Sequence, residues 1–345
     1  MMRPGTRSER LNWRQREAQL FGNHDIAVQR IASLEIKFNG AWRPPDWNVE
    51  VVRSKATDRI TLRYVSDDGA VVYGKAYFDP SLGRETYGSL AYLWKNGFAA
   101  GSGLEIPEPL IFVEEANMLL MRRAAGTPLN DLVAGAPLDA VLPAIRAAAR
   151  WLVKFHAADI PGLPIQSPCE GMEILDIADA LAKVAAECPG CASFFIGMLH
   201  DLHTVAPRSN ISVRPTPVHG QFRAAHVFIE SNRATVIDIE KICLSDPAKD
   251  VARFVHALKK NCFEEGGDEQ RAEQLAGEFV AEYRRLADSN LENLDYFRAL
   301  LALKALAKLL KSRKVNEEKR QAIGELYIAE FETATRARSV QTTAA

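Results

Sequence analysis

The chain of 345 residues has no excess of either charge: 43 Lys and Arg face 44 Asp and Glu, a formal net charge of −1. That balance excludes a strong overall field toward nucleic acid or an anionic membrane, so neither is expected as a partner. Long apolar runs are missing as well. The nearest, Ala299 to Leu310, is broken by Lys304 and Lys308 and falls short of the ~20 residues that span a bilayer. Met1 to Arg16 is polar and Arg-rich with no apolar core, so no secretory signal is expected there. Cysteine is sparse: five, an odd number in so long a chain, which reads as reduced thiols in the cytoplasm rather than a disulfide framework. Internal repeats, low-complexity tracts and heptads are absent, and nothing in the pattern specifies an oligomeric state. What remains is an ordinary globular composition, 47% apolar and 25% charged, with length for two domains or one two-lobed unit.

The patterning changes character along the chain. Residues 1–45 read as a polar, partly helical extension closing at the breaker pair Pro44-Pro45. Val49–Val52, Ile60–Val65 and Ala70–Phe78 then alternate and are rich in β-branched residues, with Asp67-Asp68-Gly69 as a hairpin signal. A helix is expected over Leu82–Lys95, with Gly97 at its C-cap, and two further strands over Leu110–Glu114 and Met118–Met121. Residues 46–125 therefore read as a five-stranded lobe with one helix. From 126 to 337 the pattern is helical, led by an apolar stripe over Leu138–Ala158, and interrupted by one β segment, Val218–Ile239. Residues 338–345 read as a tail.

That β segment holds the most informative residues. His219-Gly220-Gln221-Phe222-Arg223-Ala224-Ala225-His226 is followed eleven residues on by Ile237-Asp238-Ile239-Glu240, and then by Asp246-Pro247-Ala248-Lys249-Asp250. In this order the block resembles the catalytic loop, metal-binding strand and bracing segment of the aminoglycoside phosphotransferase and choline kinase family. The resemblance covers about residues 46–335. It implies a two-lobed α+β fold of the protein-kinase-like kind, with a small β-rich lobe and a large helical one. It also implies ATP, or another nucleoside triphosphate, with Mg²⁺ or Mn²⁺, and a small molecule bearing a hydroxyl as acceptor.

The family's pattern assigns roles position by position. Phosphoryl transfer needs cations on the phosphates and carboxylates on the metal. Lys75, in the third strand, takes the place of the phosphate-binding lysine, and Glu85 on the next helix that of its ion-pair partner. Asp238 falls where the family has its principal metal ligand, and Glu240 is expected on the same side of an extended segment as a second carboxylate. Asp250 is expected to brace the loop, and His219 to support it through hydrogen bonds. Arg223 reads either as a phosphate contact or as a solvent-exposed loop residue. Adenine is expected near the connector Met121-Arg122-Arg123-Ala124.

The loop departs from the pattern at two places. The family's Asp, which orients and deprotonates the acceptor hydroxyl, is replaced by Gln221, and its metal-holding Asn by His226. An amide can orient a hydroxyl but cannot take its proton near neutral pH. His226 could ligate a metal through neutral imidazole, favouring Mn²⁺ or Zn²⁺, or could simply pack. The nucleotide-covering stretch Ser54–Asp58 lacks glycine, which leaves Lys55 and Thr57 to reach phosphate by side chain. Two functions follow from these residues: a small-molecule phosphotransferase with a non-standard loop, or a catalytically silent pseudokinase that binds nucleotide or metabolite. Cys188-Pro189-Gly190-Cys191, His200-Asp201-Leu202-His203 and the basic stretch Arg298–Lys314 read as structural rather than as redox, zinc or membrane sites.

Overall fold

The computed structural model describes residues 13, 47–53, 59–66, 69–165, 171–187, 189–207, 214–264, 268–287, 291–312 and 315–343. The expected extension over 1–45, apart from Trp13, lies outside the described residues, as do Lys55, Thr57, Asp67, Asp68, Cys169 and Cys188. The chain divides into two compact units. The first holds residues up to Ala125 together with Thr235–Glu240; the second holds Gly126–Ala234 and Lys241 onward.

The first unit is built on β1 (Trp47–Arg53), β2 (Arg59–Ser66), β3 (Val71–Tyr77), the two-residue β4 (Leu104–Glu105), β5 (Pro109–Val113) and β6 (Met118–Arg122). Five of these form an antiparallel sheet in the order β1-β2-β3-β6-β5. Period-two alternation sends Ile60, Leu62, Tyr64, Val72 and Ala76 to one face, where they pack with Met118 and Leu120 as a buried core. Lys75 and Tyr77 therefore share the other face. The β2–β3 register sets Arg59 directly opposite Tyr77 and Thr61 opposite Lys75. This register is what brings the site's cations together.

Helix α1 (Pro80–Leu93) begins two residues before the expected start. Asp79 caps it, accepting from the Ser81 N–H at 3.0 Å, and Pro80 occupies the first turn, where a missing N–H costs nothing. Gly83, Thr86, Leu90 and Leu93 form its buried stripe, and the chain turns out at Gly97 with φ +97°.

Among the described residues the second unit carries eight helices: α2 (Leu129–Gly135), α3 (Leu138–His156), α4 (Gly171–Glu187), α5 (Ala192–Thr204), α6 (Ala248–Glu264), α7 (Glu269–Leu286), α8 (Leu294–Leu310) and α9 (Glu317–Thr343). The expected tail is thus helical as far as Thr343. The expected β segment, Val218–Ile239, holds β9 (Val227–Glu230), β10 (Arg233–Val236) and the end of β8 (Thr216–Val218); outside it, β7 (Thr127–Pro128) pairs with β9 and β11 (Cys243–Ser245) with β8. Helix α8 buries Phe297, Leu300, Leu303 and Leu306, so the basic stretch that begins at Arg298 belongs to a packed helix. No described helix is long and apolar enough to cross a membrane.

Candidate functional site

Lys75 lies at the centre of the first unit's charged cluster. Its Nζ donates to Asp238 Oδ1 at 2.5 Å and to Glu240 Oε1 at 2.6 Å. Burial alone would lower this ammonium's pKa, but Glu240 and Asp238 beside it hold it above the ordinary lysine value. Glu240 is the more enclosed acid, its side chain 2% exposed. The Tyr77 hydroxyl donates to Glu240 Oε1 at 3.3 Å, and the Arg59 guanidinium sits 2.8 Å from Oε2, an ion contact whose angles do not make a hydrogen bond. Burial, followed by Glu240, pushes the Tyr77 hydroxyl well above its usual pKa.

The two acids do not converge by strand alternation. Strand β10 ends at Val236, and Asp238 has φ +72°, a left-handed conformation rare for a residue with a side chain. That kink, rather than an extended segment, lets both carboxylates reach one ammonium.

The second unit carries the loop His219–His226. Phe222 anchors it: fully buried, its ring stacks on Trp151 at 5.7 Å and on Phe254 at 5.2 Å. Asp250, 0% exposed at the start of α6, accepts from the backbone N–H of His219 at 2.5 Å and of Gly220 at 2.9 Å. His156 Nε2 lies 3.3 Å from the same carboxylate, and its Nδ1 lies 2.7 Å from the Tyr283 hydroxyl. Burial alone would raise Asp250; the His156 hydrogen bond and the His219 amide hold it below the ordinary carboxylate value. Gly220 has φ +75°, and a Cβ there would stand 2.6 Å from the Lys241 carbonyl oxygen, so no other residue fits without distortion. The Gln221 N–H donates to His219 Nδ1 at 3.3 Å, and Arg223 Nε donates to His226 Nε2 at 2.8 Å.

A model of the phosphotransferase enzyme family (APH) matches residues 84–288, more than half of the chain. The chain belongs to this family. No curated protein sequence matches it. Solved structures share the fold at low identity. The GDP and kanamycin complex of APH(2")-IIia is 14% identical, with a TM-score of 0.59 over 89% of this chain and 99% of that one. A choline kinase from Cryptosporidium parvum Iowa II is 10% identical, with a TM-score of 0.60 over 90% and 96%. The amicoumacin kinase hAmiN, in complex with AMP-PNP, Ca²⁺ and Ami, is 12% identical, with a TM-score of 0.57 over 92% and 96%. The fold is the α+β protein-kinase-like one, an N-terminal antiparallel sheet followed by a mainly helical region.

Against this phosphotransferase-family frame, several expected site residues stand elsewhere. Glu85 does not pair with Lys75: it is exposed on α1, while its neighbour Thr86 takes the buried stripe and donates to the Leu82 carbonyl oxygen at 2.7 Å. One residue is 100° of helix, enough to turn a carboxylate from the sheet to solvent. Met121 and Arg122 are not connector residues, since β6 runs to Arg122. The Arg122 amide is committed to the Glu108 carbonyl oxygen at 3.0 Å, and its side chain to the Glu108 carboxylate. Arg123 begins the connector and is exposed. His226 Nε2 is taken by Arg223, so that nitrogen is not offered to a metal. Among the described residues no group of three or more His, Cys, Asp or Glu gathers to hold one. Tyr77 and Arg59 are the residues that sequence reasoning missed. The signal was present for Tyr77, which stands two positions after Lys75 and so on the same strand face.

Proposed function

We propose that this protein binds a nucleoside triphosphate with a divalent cation and transfers the terminal phosphoryl group to a hydroxyl of a small molecule. The observation that carries the reading is the Lys75 ammonium 2.5 Å from the Asp238 carboxylate. Phosphoryl transfer depends on placing a fixed cation against the phosphates next to a carboxylate that holds the metal, and these two residues supply that pair. Asp238 suits Mg²⁺ or Mn²⁺: a hard oxygen donor in a cluster short of an all-protein cage leaves the remaining positions to water and phosphate oxygens. When bound, such a cation offsets the charge of the phosphate oxygens. Relatives crystallised with GDP and with AMP-PNP support a purine nucleotide.

On the acceptor side, Gln221 occupies the family's base position. Its amide orients a hydroxyl without taking the proton, and the loop around it is held rigid by Asp250 and Phe222. Turnover by positioning alone is expected to be slow, because a general base is worth roughly 10²–10⁴-fold. The same residue favours the second reading, a nucleotide-binding protein that regulates without turning over.

Thermal-shift titration with ATP and with GTP, each with Mg²⁺ and with chelator, tests the reading. Ligand at a hundred times its Kd adds about 3 kcal/mol of stability. Stabilisation is expected to need the metal and to be lost in Asp238→Asn, which keeps shape and removes charge. Equal stabilisation of wild type and Asp238→Asn would end the metal assignment; metal-dependent binding without any phosphoryl transfer would select the regulatory reading.

A further inference from the structure

We propose that Glu240 is the residue that positions Lys75 for phosphate, in the place expected of Glu85, and that it is not a ligand of the divalent cation. The proposal rests on the reading of Lys75 as the phosphate-binding cation.

Both oxygens of Glu240 already face the protein's own cations, Oε1 through hydrogen bonds and Oε2 through an ion contact that is not a hydrogen bond. Oε1 takes the Lys75 ammonium at 2.6 Å and the Tyr77 hydroxyl at 3.3 Å, and Oε2 faces the Arg59 guanidinium at 2.8 Å. A cation such as Mg²⁺ requires ligand oxygens at about 2.0–2.1 Å in near-octahedral order and gives up its water reluctantly. A carboxylate with a positive charge on each oxygen and a side chain 2% exposed is badly placed to serve it. It is well placed to hold a lysine.

The support for Glu240 is rigid. Arg59 and Tyr77 are opposite one another in the β2–β3 register, and Lys75 precedes Tyr77 by two residues on the same face. Helix α1 does not enter this arrangement through Glu85, which is exposed, and the buried Thr86 beside it spends its hydroxyl on the Leu82 carbonyl oxygen at 2.7 Å. The chain of contacts thus runs Tyr77, Glu240, Lys75. With two acids on one ammonium, engagement of Asp238 by a cation leaves Lys75 still held by Glu240.

The two roles separate when nucleotide binding is measured by calorimetry on the full chain, once with EDTA and once with excess Mg²⁺. An anchor acts through Lys75 whether or not metal is present. Glu240→Gln is therefore expected to weaken ATP about 10–100-fold in both buffers, as Lys75→Met does, this being the range for losing a hydrogen bond to a charged group. Asp238→Asn is expected to weaken ATP only with Mg²⁺, and Glu85→Gln to bind as wild type does. Tyr77→Phe, which removes one hydrogen bond from Glu240 and keeps its charge, is expected to give a smaller loss in both buffers and serves if Glu240→Gln does not fold. The proposal is overturned if Glu240→Gln matches wild type in EDTA and loses only the Mg²⁺-dependent gain, or if Tyr77→Phe changes nothing. If wild type binds no ATP in either buffer, the nucleotide reading itself has failed. The anchor is then decided by melting temperatures of Lys75→Met, Glu240→Gln and the double variant: non-additive shifts support it and additive shifts overturn it.

Discussion

His226 Nε2 accepts a hydrogen bond from Arg223 Nε at 2.8 Å, within the short turn Ala224–His226 that closes the loop. An accepting Nε2 puts the ring proton on Nδ1 and makes the imidazole neutral, so His226 orients an arginine instead of presenting that nitrogen to a metal. Restoring the family's residue in His226→Asn is expected to leave the order of preference among Mg²⁺, Mn²⁺ and Zn²⁺ unchanged. Metal-dependent stabilisation by nucleotide, followed by thermal shift, checks this. A wild-type preference for Zn²⁺ that disappears in His226→Asn would return the histidine to the metal.

Asp250 offers one carboxylate to two backbone N–H groups of the loop and to His156, all at a fully buried position. Asp250→Asn replaces one acceptor oxygen with a donor and should cost about 2–4 kcal/mol, read from urea midpoints. The folded carboxyl sits below its ordinary pKa. Its contribution is therefore complete above the usual carboxylate range near pH 4 and declines only as pH falls below it, through the depressed folded value. A variant with an unchanged urea midpoint would show that the loop stands without this brace.

The sheet and the brace were legible in the sequence for concrete reasons. Alternation at Ile60, Leu62 and Tyr64 reports a half-buried strand directly, whereas the brace at Asp250 came from the likeness of Asp246–Asp250 to the family's segment. Lys75 was singled out by its match to the family's third-strand lysine. Glu85 was misjudged because its role was carried over from the family's pattern and not read from the helix's own phase. That phase, fixed by Leu90 and Leu93, sets Thr86 four residues before Leu90 on the buried stripe and leaves Glu85 in solvent. The Arg59–Glu240 and Arg223–His226 contacts were not legible at all. The first needs strand register and a left-handed residue at Asp238, and the second depends on a tight local turn that no periodicity reports.

A second acid-sensitive step is expected from the helical unit. His256, stacked on Tyr327 with ring centroids 5.8 Å apart, has its pKa pushed by burial from 6.5 down to about 4. A base whose folded pKa lies below its unfolded value stabilises fully above the unfolded pKa and loses that contribution as pH falls from about 6.5 toward 4. The gap converts to about 3 kcal/mol, and the ring's residual exposure reduces this to about 2. His256→Phe keeps the stacking and removes the titration. Its unfolding free energy is expected to be flat between pH 6.5 and 4 apart from carboxylate effects, and a wild-type slope persisting in the variant would place the sensitivity elsewhere.

Gln221 separates the two functional readings most sharply. Its backbone N–H is tied to His219 Nδ1, and the adjacent Gly220 amide to Asp250, so the position is fixed even though its side chain is not a base. Gln221→Asp restores a carboxylate at a point that is already oriented. If the protein transfers phosphoryl groups by positioning, single-turnover transfer or background nucleotide hydrolysis should rise, by up to ~10²-fold, the lower end of a general base's usual worth. The lower end is chosen because the loop was shaped around an amide, whose N–H₂ donors leave no place prepared for a second negative charge. A protein that binds nucleotide without turnover gains nothing from the change. The control is Gln221→Asp combined with Asp238→Asn, which keeps the new base and removes the carboxylate assigned to the metal. Transfer that rises in Gln221→Asp and falls away in the double variant ties the base and the metal to one reaction. Activity that is indifferent to Asp238 would mean that the chemistry, whatever its source, does not run through the Lys75–Asp238 pair.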